Sequence, residues 1–289
     1  MFKKKKDQTY QSYWSISWNI FKKNKVAMVC LFIVILLCLI ALFAPLIAPY
    51  DPNKQVLTDC LMKPCGQHWF GTDDLGRDIF SRIIYGCRVS LSVGIISQII
   101  ATVIGYTMGV CAGYYGGKVD SVISFLIQVF SSFPFLLFAM AIMFVLGPGL
   151  INLYLALGLL GWASTARLIR GDVMRLKKME YIDACKVSGG NSFRIIMKHL
   201  LPNCLSTLIV TVTLGIPNAI MSEASLSFLG LGVKAPMASW GSMISFSQPY
   251  IRSATYYSVI PGLAIIITVL AFNMLGDGLR DALDPKLRS

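Results

Sequence analysis

Asp183, Ala184 and Cys185, followed by Gly189-Gly190 and then Leu201-Pro202, lie in the one long polar segment of the chain's second half, residues 167–203. Its charges are mainly basic: Arg167, Arg170, Arg175, Lys177, Lys178, Lys186, Arg194 and Lys198 stand against Asp172, Glu180 and Asp183. Two short amphipathic patterns meet at the glycine pair. Met179, Ile182 and Cys185 recur at helical spacing before it, and Phe193, Ile196, Met197 and Leu200 after it, with Asn191 placed to cap the second helix. Pro202 is expected to close that helix. A plain solvated loop is the bland reading. Two stubby helices at a glycine corner instead suit a docking knob for a soluble partner, because a linker has no use for defined apolar faces. The chemistry this pattern offers is mechanical grip, not bond-making.

Bond-making groups are sparse. No Gly-x-x-x-x-Gly-Lys-[Ser/Thr] occurs; the run 113–118, followed by Val119, has the wrong spacing and no hydroxyl, so the chain lacks that device for holding ATP. No His-Glu-x-x-His motif is present, nor a Ser/His or paired-Asp set within the apolar runs, which argues against an intramembrane enzyme. Glu223 lies in an apolar stretch, where an acid is a functional hypothesis by default. Cys60 and Cys65, with His68 nearby, are a candidate disulfide if their compartment is oxidising; their spacing fits no standard zinc pattern. Cys30, Cys38 and Cys111 read as small apolar fillers, and His199 as a solvent-facing helix-end residue.

The elements that must carry these residues are membrane spans. Of 289 residues, 55% are hydrophobic and 14% charged, with a mean hydropathy of +0.66, too little charge for a soluble surface. The net charge of +12 sits beside apolar runs, the pattern of membrane orientation, and no basic face with interleaved aromatics points to nucleic acid. Six runs of suitable length are expected to cross, at 26–48, 89–113, 121–146, 149–166, 204–225 and 256–275. The first is too long for the apolar part of a cleaved signal peptide and reads as a retained anchor. The third and fourth are joined by Gly147-Pro148-Gly149 as a tight hairpin. Gly94, Gly105, Gly109 and Gly113 suit close helix packing, while Pro134 and Pro217 should kink their helices. The resulting division is a basic tail at 1–25, the first span, an external loop at 49–88, a core at 89–275 with five spans and the 167–203 segment, and a tail at 276–289. Basic residues in the tails and the 167–203 segment place these on the cytoplasmic side. Arg77, Arg82 and Arg88 fall outside, close to Asp73, Asp74 and Asp78, which offset them.

Segment 167–203 resembles the cytoplasmic coupling loop of binding-protein-dependent ABC importer permeases. That family shows an acid, two alanines, a glycine four further on, and then Leu-Pro; here the run is Asp183-Ala184-Cys185, Gly189 and Leu201-Pro202. Asp replaces the usual Glu, and Cys185 the second Ala. Residues 68–78 and 81–90, the run Tyr115–Asp120 with Pro134, residues 223–233 with Ser239-Trp240-Gly241, and 271–285 resemble the C-type subunit of the dipeptide/oligopeptide/nickel branch. The likeness covers nearly the whole chain in order. One departure lies in the third span, where many relatives have an arginine and an aspartate and this chain has Phe125 and Gln128. Losing both members together is the tolerable way to lose a charge pair near the membrane.

The resemblance implies an all-α type I ABC importer permease with six transmembrane helices, both termini cytoplasmic, forming half of a translocation pathway and not itself an enzyme. It implies a second homologous permease subunit, two ATP-binding subunits that use ATP and magnesium, an extracytoplasmic substrate-binding protein, and peptide cargo in a bacterial-type cell membrane. Asp183 is then an ion-pair or cap partner, Ala184 and Cys185 a small packing surface, Gly189 the corner, Leu201-Pro202 a rigid exit into the fifth span, and Glu223 the holder of a structural hydrogen bond at a helix break. Two alternatives stand beside it: a permease for nickel or another small chelate, and an ATP-independent secondary transporter. Few buried charges argue against the latter, since ion coupling usually leaves carboxylates at mid-membrane.

Overall fold

The computed structural model describes residues 13–284; the lysines at 3–6 and the last residues, 285–289, lie outside them. Among the described residues the regular structure is helical, with one isolated β-bridge between Thr72 and Asp78. In chain order the helices are α1 (Tyr13–Lys23), α2 (Lys25–Leu42), α3 (Ala44–Ile47), α4 (Ile79–Tyr115), α5 (Gly117–Ser132), α6 (Phe135–Leu146), α7 (Leu150–Leu176), α8 (Glu180–Val187), α9 (Ser192–Ile195), α10 (Leu201–Phe228), α11 (Trp240–Ser247) and α12 (Thr255–Leu283). Among the described residues four stretches (α2, α4, Ser192–Phe228 and α12) are long and apolar enough to cross a membrane, and five if α5 and α6 count as one bent span. The helix α7 is long enough but diluted by small and polar residues such as Gly158, Gly161, Ser164 and Thr165. Those residues follow from its central position, since lipid-facing helices need no such economy of size.

The axis of the fold is the pair α4 and α7. Gly105, Gly109 and Gly113 form one stripe of α4, four residues apart, against α7. A Cβ at Gly105 would lie 2.6 Å from the Thr165 Cβ, one at Gly109 2.7 Å from the Ala166 carbonyl, and one at Gly113 2.9 Å from the Arg170 carbonyl. Gly94 serves a different partner, facing Ile220 and Ile216 of α10.

Several boundaries differ from those the sequence suggests, each for a local reason. The third span is broken rather than kinked: α5 and α6 meet at 90° across Phe133-Pro134, where Phe133 takes the extended conformation that a following proline favours. By contrast, α10 runs unbroken through Pro217. The helix α4 starts at Ile79, ten residues before the expected span, because Asp78 caps it by accepting from the Ser81 N–H at 2.7 Å. Residues 276–283 form the last turns of α12 rather than a tail. Gly276 meets Leu214 of α10 there, and Gly278 lets α12 approach Ala27 of α2.

The loop between α3 and α4 is tied by buried charge. Asp73 accepts from Arg77 at 2.6 Å and lies 3.4 Å from Arg82, whose Nη1 donates to the Pro52 carbonyl at 2.9 Å. Arg77 and Arg82 are therefore offset by acids as expected, but Arg88 forms no ion pair among the described residues, and Asp78 pairs with His68 at 2.9 Å. Cys60 and Cys65 stand as free, exposed thiols and not as a disulfide, and the Cys65 sulfur accepts from the His68 N–H at 3.4 Å.

Candidate functional site: the knob and the cavity

The polar segment folds as the two-helix knob its pattern suggests. Asn191 caps α9 by accepting from the Arg194 N–H at 2.8 Å, and Gly189 turns the corner at φ +79°. Ile182, Ile195 and Leu200 are buried on Val110, Ile169, Val173 and Leu176 of the α4–α7 pair and on Cys204 of α10. Each buried aliphatic side chain contributes about 1.5–3 kcal/mol, enough to seat two helices that are too short to persist alone. Phe193 and Met197, which share helical spacing with Ile196 and Leu200, point outward together with Tyr181 and Val187; Val187 is 90% and Phe193 72% exposed.

Polar contacts fix the seat. The Tyr114 hydroxyl donates to Ser192 Oγ at 3.3 Å, and Lys177 Nζ donates to the Tyr114 carbonyl while lying over the same ring at 5.7 Å. A cation at the last carbonyls of a helix is favourably placed against its dipole. Asp172 of α7 accepts from Thr207 Oγ1 of α10 at 2.6 Å, and Arg170 forms a two-bond pair with Asp120 of α5. None of these partners is identifiable from spacing, because each contact joins segments 35 or more residues apart.

The residues singled out in the sequence are spread over this knob and its exit. Asp183 is exposed and pairs with Lys186 at 2.8 Å; Ala184 is exposed beside it. Cys185 is half-buried, with its sulfur 3.7 Å from His199 Nε2, and His199 is half-buried rather than solvent-facing. Leu201-Pro202 does not end the second helix. Residues Ile196–Leu200 form a π turn that joins α9 to α10, so helix is continuous from Ser192 to Phe228. A wider turn before a proline relieves the clash of its ring with the carbonyl four residues back. The second half of the knob is thus the end of the long α10 helix. Gln128 is exposed on α5, and Pro134 stands at the 90° corner, so neither joins the knob.

Glu223 lies at the other end of α10, fully buried within an unbroken helix rather than at a break. It accepts from Ser227 Oγ at 2.6 Å and Ser90 Oγ at 3.2 Å, while the Trp240 N–H reaches Ser90 Oγ at 3.4 Å. The carboxyl therefore ties α10, α4 and α11 together.

Between the two ends a cavity of about 1740 Å³ runs along α10. Asn203, Thr207, Thr211, Asn218, Ser222 and Ser225 line it at helical spacing, with Ser164 and Thr165 of α7 and Ser97 and Gln98 of α4 opposite. Several of these side chains donate to a backbone carbonyl four residues back, as Asn218 does to Leu214 at 3.1 Å and Ser222 to Asn218 at 2.8 Å, so their oxygens stay free to accept. Such a stripe on an otherwise apolar helix belongs against water or protein, not lipid. Its period was visible in the sequence, masked by the apolar average of the span.

Comparison with known proteins follows the same outline. Residues 102–289 match the family described as binding-protein-dependent transport system inner membrane component, and residues 12–64 match the N-terminal TM domain of oligopeptide transport permease C. The dipeptide transport system permease protein DppC of Bacillus subtilis (strain 168) is 46% identical over 278 residues, covering 96% of this chain and 87% of that protein. The oligopeptide transport system permease protein OppC of the same organism is 42% identical over 277 residues, covering 96% and 91%. The glutathione transport system permease protein GsiD of Pectobacterium atrosepticum is 41% identical over 285 residues, covering 98% and 95%. A solved structure of the MetNI methionine ABC transporter in an inward-facing conformation shares the fold at TM-score 0.58 and 19% identity, over 71% of this chain and 98% of the other.

Proposed function

The chain belongs to the family of binding-protein-dependent transport system inner membrane components, a family of transport permeases, and from that premise we propose that it imports short peptides as half of a pathway driven from the cytoplasm. The observation that carries this reading is the knob: a filled apolar seat beneath, and an exposed crown of Tyr181, Val187, Phe193 and Met197 above. An exposed apolar crown at a membrane protein's polar end is a protein-docking surface. The partners that fit are two ATP-binding subunits, which bring ATP and magnesium.

In this arrangement six spans cross the membrane: α2, α4, the bent α5–α6 pair, α7, α10 and α12. The long α10 helix crosses between its knob end and Glu223, and the knob and both termini lie in the cytoplasm. Asp183 is the charged edge of the docking surface, Ala184 and Cys185 its small packing surface, Gly189 its corner, and Leu201-Pro202 the passage into the span. Nucleotide closure draws the knob, α10 tilts with it, and the cavity changes access. Coupling of this kind requires the knob to touch the two ATPase states differently. The cavity is completed by a second, homologous permease, and a binding protein on the extracytoplasmic side delivers cargo.

Relatives named for dipeptide, oligopeptide and glutathione transport support peptide cargo. So do the hydroxyls and amides of the α10 stripe, which accept hydrogen bonds from a peptide backbone whatever its side chains. Reconstitution tests the reading: the chain with its candidate partners should take up peptide only with ATP and a loaded binding protein. Uptake by the lone chain under a proton or sodium gradient would sink it, as would labelling of Lys178 from outside intact cells.

A further inference from the structure

A second, smaller cavity of about 330 Å³ opens at the end of α4 away from the knob. Its walls come from α4 (Tyr85, Arg88, Ser92), the start of α7 (Tyr154) and two loops (Asn53, Met237), and it shares no lining residue with the large cavity. Its chemistry is one-sided. Arg88 lines it with no ion pair among the described residues, and no Asp or Glu lines it. The N-terminus of α7 opens at the same wall with no acid in its first turn, which adds to the preference for an anion.

The hydroxyls narrow the choice of anion. Ser92 Oγ donates to the Val89 carbonyl at 2.7 Å, so in its 2.8 Å contact with Tyr154 the tyrosine is the donor. The Tyr154 oxygen is left as an acceptor. A cation on the rim and an acceptor within suit a carboxylate next to an amide N–H, which is the C-terminal end of a peptide. An N-terminal ammonium would need an acid here. The volume is at the small end of the range of about 300–1,000 Å³ for small-molecule sites, which favours a dipeptide over a long chain.

We propose that this cavity is a second peptide site, on the extracytoplasmic side, in which Arg88 holds the C-terminal carboxylate and Tyr154 accepts from the neighbouring amide. The assignment rests on the topology and cargo class given above. It is tested on the permease pair with its ATPase subunits in phosphatidylcholine nanodiscs, without the binding protein, by titrating a dipeptide and its C-terminal amide. Arg88→Gln should weaken the acid about tenfold or more, the loss expected for a charge-assisted contact. The amide should bind the native complex as weakly as the acid binds the variant, and Arg88→Lys should restore part of the loss. Equal binding of acid and amide, or no response to Arg88→Gln, would overturn the site; if ATP-driven peptide uptake persists, the permease reading survives that failure. Absence of both uptake and binding would overturn both. Adding phosphatidylglycerol should leave the acid–amide difference in place; its disappearance would give Arg88 to a lipid phosphate and overturn the peptide assignment.

Discussion

The hydroxyl of Tyr114 donates to Ser192 at 3.3 Å, so the last turn of α4 is bonded to the first turn of α9. With Lys177 on the Tyr114 carbonyl, one residue joins three segments: the central helix pair, the linker after α7 and the knob. Tyr114→Phe keeps the packing of a ring that is 9% exposed and removes only the bond, worth about 0.5–1.5 kcal/mol. The expected result is normal insertion with a fall in peptide taken up per ATP hydrolysed. An unchanged ratio would show that the apolar seat alone holds the knob.

The two glycines of the corner should respond to opposite tests. Gly189 has φ +79° and nothing within 4 Å of a Cβ, so its constraint is backbone conformation alone. Gly189→Asn should be tolerated and Gly189→Val should cost roughly 1–2 kcal/mol of local order, loosening coupling without loss of insertion. A Cβ on Gly190 would lie 2.6 Å from Cys185 Sγ and 2.8 Å from the Cys185 carbonyl, so there even alanine is too large. Uptake per ATP in Gly189→Asn, Gly189→Val and Gly190→Ala checks this. If Asn and Val at position 189 behave alike, φ is not the constraint.

The exposed crown gives a test independent of folding. Val187 and Phe193 contribute little to the knob's own core, so Val187→Asp and Phe193→Asp should leave thermal unfolding of the isolated chain within about 0.5 kcal/mol of native. They should still prevent copurification with the ATPase subunits, because a desolvated charge in an apolar interface is strongly unfavourable. Ile182→Asp should do the reverse and first unseat the knob. Normal copurification of both crown variants would move the docking surface elsewhere.

How much of this was readable beforehand depended on whether the signal was local. The knob was legible because its parts, Asn191, the glycine pair and the apolar spacings, lie within one short stretch. Which face turns inward was not, since it depends on Ile169, Val173 and Val110, remote in sequence from Ile195. The break at Pro134 and the unbroken passage at Pro217 carry the same local signal and differ only in surroundings: Pro134 is exposed, whereas Pro217 is buried among neighbours. The run 149–166 was legible as a span, but what its small residues pack against was not: Gly158 faces Ile100 and Thr165 faces Gly105 only once α4 and α7 are paired. Glu223 stood out by type, while its partners Ser90 and Ser227 are ordinary serines until the fold places them.

That serine cluster supplies the last test. In the fully buried set around Glu223, one carboxyl accepts from Ser227 at 2.6 Å and Ser90 at 3.2 Å, across two helices. Glu223→Gln retains one acceptor oxygen and the shape, and the serine hydroxyls can rotate to accept from the new amide, so its effect should be small. Glu223→Leu leaves both hydroxyls without the acceptor they use, at about 1–3 kcal/mol for each buried group left unsatisfied. Thermal unfolding in detergent should therefore fall in the order Glu, Gln, Leu. The Leu variant should also loosen α11, which hangs on the same cluster through the Trp240 N–H to Ser90, and so raise protease sensitivity at the 229–239 loop. A Leu variant as stable as the native chain would mean that the carboxyl is not structural. Its burial would then have to be explained by transport itself, with uptake lost in a protein that folds normally.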